Sequence, residues 1–254
     1  MRIAVCVRQV PAREGQPRLD AAGGWTCGPD AGFQLNEPDA YALEAGLRLR
    51  DVYGGEVVAC AAGPARAAQV LREALARGAD RAVHVEHDGL AAADAFAVAS
   101  ALSGALREET VDLVLTGPQS DDQGAAATGV VLAVRLGLPH ATMVTDVRLA
   151  GAGLRVKREL EGGWFQWVAL PLPAVLAVQT GINQLRYATL KGIMAARGKE
   201  IRTIRPAVID RSRQRIVALR APVKTKQTLM LAGPPAEAAR NLVRKLRELG
   251  LAPV

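Results

Sequence analysis

A loop of small and acidic residues is the stretch of this chain best suited to chemistry. The sequence TGPQSDDQGAAATG, residues 116–129, follows the apolar run VDLVL and precedes a helical pattern. A strand that ends in such a loop and passes into a helix brings free N–H groups and the positive end of the helix dipole together, and both favour a phosphate. Ala125, Ala126 and Ala127 would expose those N–H groups without steric cost. A purely structural turn with Asp122 as the helix cap is the alternative that these residues leave open.

Other residue types that commonly do chemistry give weaker signals. The chain has no GxxxxGK[ST] motif, and no GxGxxG follows its first strand. Asp121 and Asp122 are adjacent and would point apart, so they do not form an acid–base pair. His84, His87 and His140 have no companions at metal-ligand or triad spacing; we expect His84 in a strand and the other two in loops. The pattern favours a protein that holds a cofactor over a hydrolase, and it predicts no metal site.

The cysteines indicate the cellular compartment, and the hydropathy indicates whether a segment could span a membrane. Cys6 and Cys60 lie in apolar runs and are expected to be buried thiols, and Cys27 is the third cysteine. An odd count without a CxxC motif is typical of a reducing compartment, so we expect a cytoplasmic protein. No apolar stretch approaches the roughly 20 residues of a membrane span.

The charge is basic but dispersed. The formal net charge is +7, and the sequence pI is about 9.8. Most arginines alternate with acidic residues, as in LREALARGADR and VRKLRELG, so nucleic-acid binding is not favoured. The main local excess covers residues 199–220, which indicates a basic segment that lies on an acidic protein partner or is simply solvated.

Strands and helices alternate over the first half of the chain. Apolar runs predict strands at residues 3–10, 56–63, 81–86 and 111–117, and helical patterns follow at residues 38–53, 64–78, 91–109 and 124–137. The first helix has Asn36 as a capping residue, Pro38 in its first turn and Asp39 near its positive end. Buried strands that alternate with helices predict an α/β fold with a doubly wound, mostly parallel sheet. Ligands bind at the carboxyl ends of such strands.

The pattern changes after Pro139. Alternating runs separated by GAG and EGG predict antiparallel strands that extend one edge of the sheet. A short helix is expected over RYATLKGIMAAR, an extended basic arm over residues 198–232, and an amphipathic helix with a Leu242, Leu246 and Leu249 stripe at the end. We therefore expect a nucleotide-binding α/β domain over residues 1–197. Residues 198–254 would form an arm and helix that pack on another subunit.

Several ordered stretches resemble one family. RYATLKGIMAARGKEI is similar to the run (P/A)SLKGIMKAKKKPI of electron transfer flavoprotein β subunits. LNEPDAYALEAGLRLRDVYGGEV resembles that family's NPFDEYALEEALRLKE..GEV, and TGPQSDDQGAAATG falls on its TGKQAIDxDxxQxG. The resemblance covers essentially residues 1–200. It implies an adenine-nucleotide α-hydrolase-like fold and a heterodimer with an α subunit that carries the redox flavin.

The resemblance also implies site residues by position. The family's cofactor-binding positions fall here on Cys6, Asn36, Ala62, Gly63, Asp122, Gly124, Ala126, Ala127 and Thr128. Leu190 falls on the leucine that anchors partner dehydrogenases in ordinary members. Arg8 and Gln9 leave the first strand at the site and are candidates for tuning the cofactor, or else solvated loop residues.

The chain also departs from the family pattern. Ala127 replaces a glutamine, Gly124 replaces an acidic or polar residue, and Ala12 replaces an aspartate after the proline. Side-chain contacts to phosphate are lost at the first two positions, whereas backbone N–H contacts would survive.

The cofactor itself is left open between two nucleotides. VRQVP is similar to the VKQVPD of bifurcating and nitrogen-fixation-type members, which hold a second FAD, and no tyrosine follows it as in the ordinary type. We therefore expect FAD, with AMP as the alternative and an empty slot as the third possibility. With FAD, the protein would be an electron carrier, redox-active only in the αβ complex, working with a dehydrogenase, a quinone or a ferredoxin. With AMP, it would be a structural and dehydrogenase-docking subunit.

Overall fold

The structure is a computed structural model that describes residues 1–12, 18–19, 25–26, 32–218, 220 and 228–251. Cys27 and half of the segment between the first strand and the first helix, residues 13–17, 20–24 and 27–31, lie outside the described residues. By its internal contacts the chain divides into two units, Met1–Ala218 and Leu219–Val254. The expected role of residues 198–254 in packing on another subunit stays a prediction.

Most of the strands belong to one large sheet. In chain order the strands are β1 Arg2–Cys6, β2 Gln9–Pro11, β3 Arg18–Leu19, β4 Trp25–Thr26, β5 Phe33–Leu35, β6 Glu56–Gly63, β7 Arg81–Glu86, β8 Leu113–Thr116, β9 His140–Ala150, β10 Gly153–Glu159, β11 Phe165–Pro171, β12 Ala174–Val178 and β13 Ile201–Ile204. The nine-stranded sheet has the order β11-β10-β9-β12-β8-β1-β6-β7-β13. Its strand pairs are parallel from β9 to β13, whereas β9–β10 and β10–β11 are antiparallel. The remaining strands form two small antiparallel pairs, β2–β5 and β3–β4. The predicted mostly parallel sheet with an antiparallel edge is therefore confirmed.

The helices begin and end at recognisable signals. They are α1 Glu37–Tyr53, α2 Ala68–Arg77, α3 Ala95–Glu109, α4 Thr128–Leu136, α5 Leu190–Gly198 and α6 Pro235–Glu248. Pro38 lies in the first turn of α1, and Gly54 ends that helix at a φ of 72°. The Asp94 carboxylate caps α3 by accepting the N–H of Ala97 at 3.0 Å.

Both faces of the sheet are covered, as a doubly wound fold requires. Successive side chains of a strand point to opposite faces, so Ile3 and Val5 join the apolar cluster that contains α1, α2 and the end of α5. Ala4 and Cys6 join the other cluster, which contains α3 and α4. The parallel strands are therefore buried on both sides, which explains their continuous apolar runs.

Several boundaries differ from the prediction. The first strand ends at Cys6, and α4 begins at Thr128 instead of residue 124, so the loop after β8 is longer than expected. His140 begins β9, paired with Val175, and the expectation of a loop there was wrong. The predicted irregular arm contains β13, which extends the parallel sheet beside β7. The β-branched and apolar residues of IRTI pair there because β7 would otherwise be an open edge.

The second unit contains the predicted terminal helix. Helix α6 begins after Pro234 and has Glu237 in its first turn and Arg247 in its last, which suits the helix dipole. Leu242, Val243 and Leu249 are exposed on it.

Candidate functional site

A cleft lies at the carboxyl ends of the central strands. β1 is flanked by β8 on one side and β6 on the other. The chain leaves β1 toward β6 over one face of the sheet and later returns to β8 over the other, so the strand order reverses beside β1. Such a switch point is where open α/β sheets bind ligands. The cleft is lined by Cys6, Val7, Arg8, Asn36, Asp39, Ala62, Val98, Leu102, Thr116, Gly117, Pro118, Gln119, Ser120, Gln123, Ala125, Ala126, Ala127 and Thr128.

Most of the predicted cofactor-binding residues come together here. Seven of them line the cleft, namely Cys6, Arg8, Asn36, Ala62, Ala126, Ala127 and Thr128. Asp122 contacts the lining residue Arg8, Gly63 follows Ala62 at the end of β6, and Gly124 lies in the loop itself. Leu190 lies elsewhere, at the start of α5, with 78% of its surface exposed.

Asn36 joins the loops that flank the cleft. The sequence suggested a helix-capping side chain, but this side chain makes no capping hydrogen bond to α1. Its amide nitrogen instead donates to the Gln119 carbonyl at 3.1 Å, and its Oδ1 accepts the N–H of Asp121 at 3.0 Å. Its own N–H donates to the Arg8 carbonyl at 2.9 Å. Asn36 is 1% exposed, so it is a buried connection between the loop after β1 and the loop after β8.

Asp39 is a site residue that sequence reasoning missed. Its Oδ2 accepts the N–H of Arg8 and its Oδ1 accepts the N–H of Gly117, each at 2.9 Å. A Cβ at position 117 would lie 2.5 Å from Oδ1, so glycine is needed for this approach. Burial raises the pKa of Asp39 to about 7, although hydrogen bonds with Arg8, Asn36 and Gly117 oppose the rise. The signal for its role was present only as an acidic residue in the first turn of a helix, which is common at helix starts.

Arg8 and Asp122 form an ion pair at the cleft. The Arg8 guanidinium donates to the Asp122 carboxylate at 2.7, 3.0 and 3.1 Å. Burial raises the pKa of Asp122, but the hydrogen bonds and charge of Arg8, with further hydrogen bonds from Ser120 and Gln123, bring the net pKa below its ordinary value. The alternative in which Asp122 caps the following helix is wrong, because the cap position of α4 is Ala127. Arg8 therefore lies next to the loop after β8. Gln9 instead donates to the Arg66 carbonyl and to Gln69.

The loop after β8 contains left-handed backbone. Gly124 has a φ of 60° and donates its N–H to the Ser120 carbonyl at 2.9 Å. Ala126 has a φ of 50°, a conformation that is unfavourable for residues with a Cβ. Strained backbone of this kind is concentrated at binding sites. Ala127 then leads into α4, and within the described part of the chain no side chain caps that helix.

One buried thiol, that of Cys6, lines the cleft, and a second, that of Cys60, lies beside it in the core. Cys6 and Cys60 are direct partners in the β1–β6 ladder, and both are free and buried, as predicted. Burial raises the pKa of Cys6 and raises that of Cys60 to about 12. Both side chains are therefore small, neutral and unreactive in this site.

Clusters of metal-ligating side chains and membrane-spanning helices are absent from the described residues, 1–12, 18–19, 25–26, 32–218, 220 and 228–251. No group of three or more His, Cys, Asp or Glu residues is placed to bind a metal ion there. No helix in the same ranges is both long enough and apolar enough to cross a bilayer. The cleft is bounded by backbone amides, the Arg8 guanidinium, the Asp39 carboxyl group, small polar groups and the apolar side chains of α3.

A cleft at the switch point of a parallel sheet is common to a broad class of ligand-binding α/β proteins. Comparison with known proteins shows which family within that class this chain is similar to. The model of the electron transfer flavoprotein domain matches residues 25–209. The chain is 35% identical to the electron transfer flavoprotein subunit beta of Methylophilus methylotrophus, over 98% of each chain. It is 37% identical to the mitochondrial subunit beta of Oryza sativa subsp. indica, over 91% of this chain and 94% of that one. With the human subunit beta it shares 36% identity over 82% of each chain.

The chain therefore belongs to the electron transfer flavoprotein family, as a beta subunit. This confirms the family that the KGIM segment and the loop after β8 indicated, and it supports a role in electron transfer. The bifurcating type remains a prediction.

Proposed function

We propose that this β subunit holds an adenine nucleotide in the cleft, with FAD favoured over AMP, and pairs with an FAD-carrying α subunit. The complex would pass electrons between a dehydrogenase or NADH and an acceptor. One observation carries the proposal: the cleft at the switch point combines the Arg8 guanidinium with the uncapped start of α4. The free N–H groups at the helix start attract a phosphate, and Arg8, which the Asp122 carboxylate holds at the cleft, is placed to contact one.

The cleft also suits the parts of the nucleotide other than its phosphate. Cys6 ends β1 and Ala62 precedes the last residue of the neighbouring strand β6, and their small side chains leave room for a flat ring between the loops. Gly124 and Ala127 provide no polar side chain to a phosphate, so backbone N–H groups and Arg8 would make those contacts. Val98 and Leu102 of α3 supply an apolar wall.

The protein's own contribution is binding and electrostatics. Asp39 and Asp122 are both engaged by hydrogen bonds, so they are poorly placed to act as an acid–base pair. A bound flavin would supply the redox chemistry. Arg8, as the cation at the cleft, would favour the phosphate and any negative charge on the cofactor. Gln9 is turned toward α2 and is a weaker candidate for tuning.

The proposal for the partner rests on the end of the chain. Helix α6 has a stripe formed by Leu242, Leu246 and Leu249, of which Leu242 and Leu249 are exposed. An amphipathic helix of this kind gains stability when its apolar side is covered by another protein. Apart from β13, which pairs with β7 in the sheet of this chain, we assign residues 198–254 this role toward the α subunit.

The first experiment is to co-express the chain with an α subunit, denature the purified complex and quantify the released nucleotides. Two FAD per complex would support FAD in the β cleft and a bifurcating-type or related function. One FAD and one AMP would favour the structural alternative, and one FAD alone would contradict nucleotide binding by this chain. Arg8→Gln should lower the nucleotide content, whereas the charge-matched control Arg148→Gln, in a remote surface pair with Asp146, should leave it unchanged.

The AMP-binding alternative has its own supporting observation. Tyr187, Leu190 and Met194 are exposed apolar residues around the start of α5. The segment before them is fixed by Arg186, which donates to Glu44 at 2.7 Å and to Asp51 at 2.8 Å. A rigid, exposed apolar group is a suitable docking site for a dehydrogenase. In that case the Leu190→Ala complex would retain AMP and lose affinity for the dehydrogenase.

The compartment is also a proposal. Cys6 and Cys60 are free thiols although they face each other across two strands, which suits a reducing environment such as the cytoplasm. Relatives named as mitochondrial are known from rice, so fractionation of the native host is the direct test.

A further inference from the structure

Thr116 has a buried hydroxyl group that finds no partner in the part of the chain that the structure describes. It is the last residue of β8, it lines the cleft and it is 4% exposed. Within the described residues its Oγ1 makes no hydrogen bond. Buried polar groups are nearly always paired, so such an atom calls for an explanation, and a missing ligand is one.

The hydroxyl group lies beside the first turn of α4. A Cβ built on Gly129 would lie only 2.7 Å from Thr116 Oγ1, so glycine at this position leaves the hydroxyl its place. The first backbone hydrogen bond of this nine-residue helix runs from Val131 to Ala127. The N–H groups of residues 128–130 therefore precede it and, like those at the start of any helix, have no acceptor within the helix. Thr116 thus places a hydroxyl donor next to a set of N–H donors.

We infer that the Thr116 hydroxyl donates a hydrogen bond to a phosphate oxygen of the nucleotide bound at the start of α4. This inference rests on the proposed function, since it assumes that a nucleotide occupies the cleft. A phosphate oxygen accepts several hydrogen bonds at once, so one group satisfies the hydroxyl and the helix N–H groups together. Arg8 lines the same cleft, but its charge is balanced by Asp122, so the hydroxyl and the helix N–H groups are the donors on which the contact depends. Thr116 is therefore a specificity-determining residue for phosphate.

The test compares Thr116→Val with Thr116→Ser in the full chain after its nucleotide has been removed. Valine keeps the shape of threonine and removes the hydroxyl, whereas serine keeps the hydroxyl. Calorimetric titrations would use AMP, FAD and adenosine, because adenosine lacks the phosphate. We expect Thr116→Val to bind AMP and FAD about tenfold to a hundredfold more weakly than the wild type. Its affinity for adenosine should be unchanged, and Thr116→Ser should stay close to the wild type for every probe.

A second variant, Gly129→Ala, tests the position of the Thr116 hydroxyl from the side of the helix. Gly129→Ala brings a methyl group against Thr116 Oγ1, so the hydroxyl must rotate away and the affinity for AMP should fall. Because both changes act on one hydroxyl, Gly129→Ala should have little further effect in the Thr116→Val background. This variant also keeps the inference testable if Thr116→Val does not fold.

The outcomes separate the inference from the proposed function. If the wild type binds AMP and Thr116→Val binds it equally well, the hydroxyl does not contact the phosphate and the inference is wrong while the proposed function stands. Equal losses for AMP and adenosine would also overturn it, since the contact would then be to the base or the sugar. If the wild type binds none of the three probes, the proposed function fails and the inference fails with it.

Discussion

Asp39 allows a pH-dependence prediction that depends on its burial. The change is Asp39→Asn, which replaces a titratable group by a neutral one of the same shape. In the wild type, burial raises the pKa of Asp39 from 3.8 to about 7, and the hydrogen bonds from Arg8 and Gly117 only partly oppose this. The folded protein therefore retains a proton that the unfolded chain releases. The stabilisation linked to this proton is fully present below about pH 4 and is lost as the pH rises to about 7.

The magnitude follows from the size of the shift. One pKa unit corresponds to about 1.4 kcal/mol, so this single group should lower the free energy of unfolding by about 3 kcal/mol between about pH 5 and about pH 8. The neighbouring titratable side chains interfere little. The pKa of Asp122 lies below its ordinary value, and that of Cys6 lies well above its own. Neither group changes its charge within this window.

The assay is urea denaturation of the wild type and Asp39→Asn at both ends of the window. We expect the stability of the wild type relative to the variant to fall by about 3 kcal/mol as the pH rises. Asp210→Asn is the control, because hydrogen bonds from Ser100 and Arg135 keep the pKa of Asp210 below its ordinary value, outside the window. A difference between the wild type and Asp39→Asn that is the same at both pH values would refute the reasoning. It would mean that the two N–H donors keep Asp39 ionised throughout.

Three further predictions concern the cleft and the surface. Asp122→Asn should lower the free energy of unfolding by about 1–3 kcal/mol near neutral pH, because it removes the carboxylate partner of the half-buried Arg8 guanidinium. Because the folded-state pKa of Asp122 is lowered, urea denaturation should show this loss above about pH 4 and show it shrinking below that value. Ala126→Gly should raise the free energy of unfolding by about 1 kcal/mol, since glycine tolerates the left-handed φ at that position. Gly124→Ala should lower the free energy of unfolding by a similar amount, because it puts a Cβ on left-handed backbone. Denaturation that shows the same effect for both changes would contradict this account. Leu190→Ala should change the stability by less than about 0.5 kcal/mol, as expected of an exposed side chain, and thermal unfolding measures it.

The strand and helix pattern could be predicted because it depends on local signals. Residues 56–63 and 81–86 were predicted as strands with the bounds that the structure has, since each is an apolar run between turn residues. The first helix was equally clear, with proline at its start and glycine after its end. The pairing of strands that are distant in the sequence was harder to predict. The sequence of β13 looked like part of a basic arm, and only the open edge beside β7 makes it a strand.

The site was predicted in its position but not in its connections. The carboxyl ends of parallel strands and the small residues of the loop after β8 indicated where a ligand would bind. Asn36 and Asp39 were both interpreted as helix-start residues, because their types and spacing fit that role. In the fold, both side chains turn away from α1 and join the loops that follow β1 and β8. Which of two possible partners a polar side chain uses depends on what the sheet order brings near it.

For the same reason the Thr116 hydroxyl could not be singled out from the sequence. A threonine at the end of a buried strand is a common residue, and nothing local distinguishes Thr116 from one whose hydroxyl bonds to its own backbone. In the fold its Oγ1 has no partner among the described residues, and it lies where Gly129, in the first turn of α4, leaves it space. Sequence patterns record which groups are present. Only the close approach of Thr116 to Gly129 in the folded chain shows that the hydroxyl lies beside the start of the helix, which is the arrangement a phosphate would use.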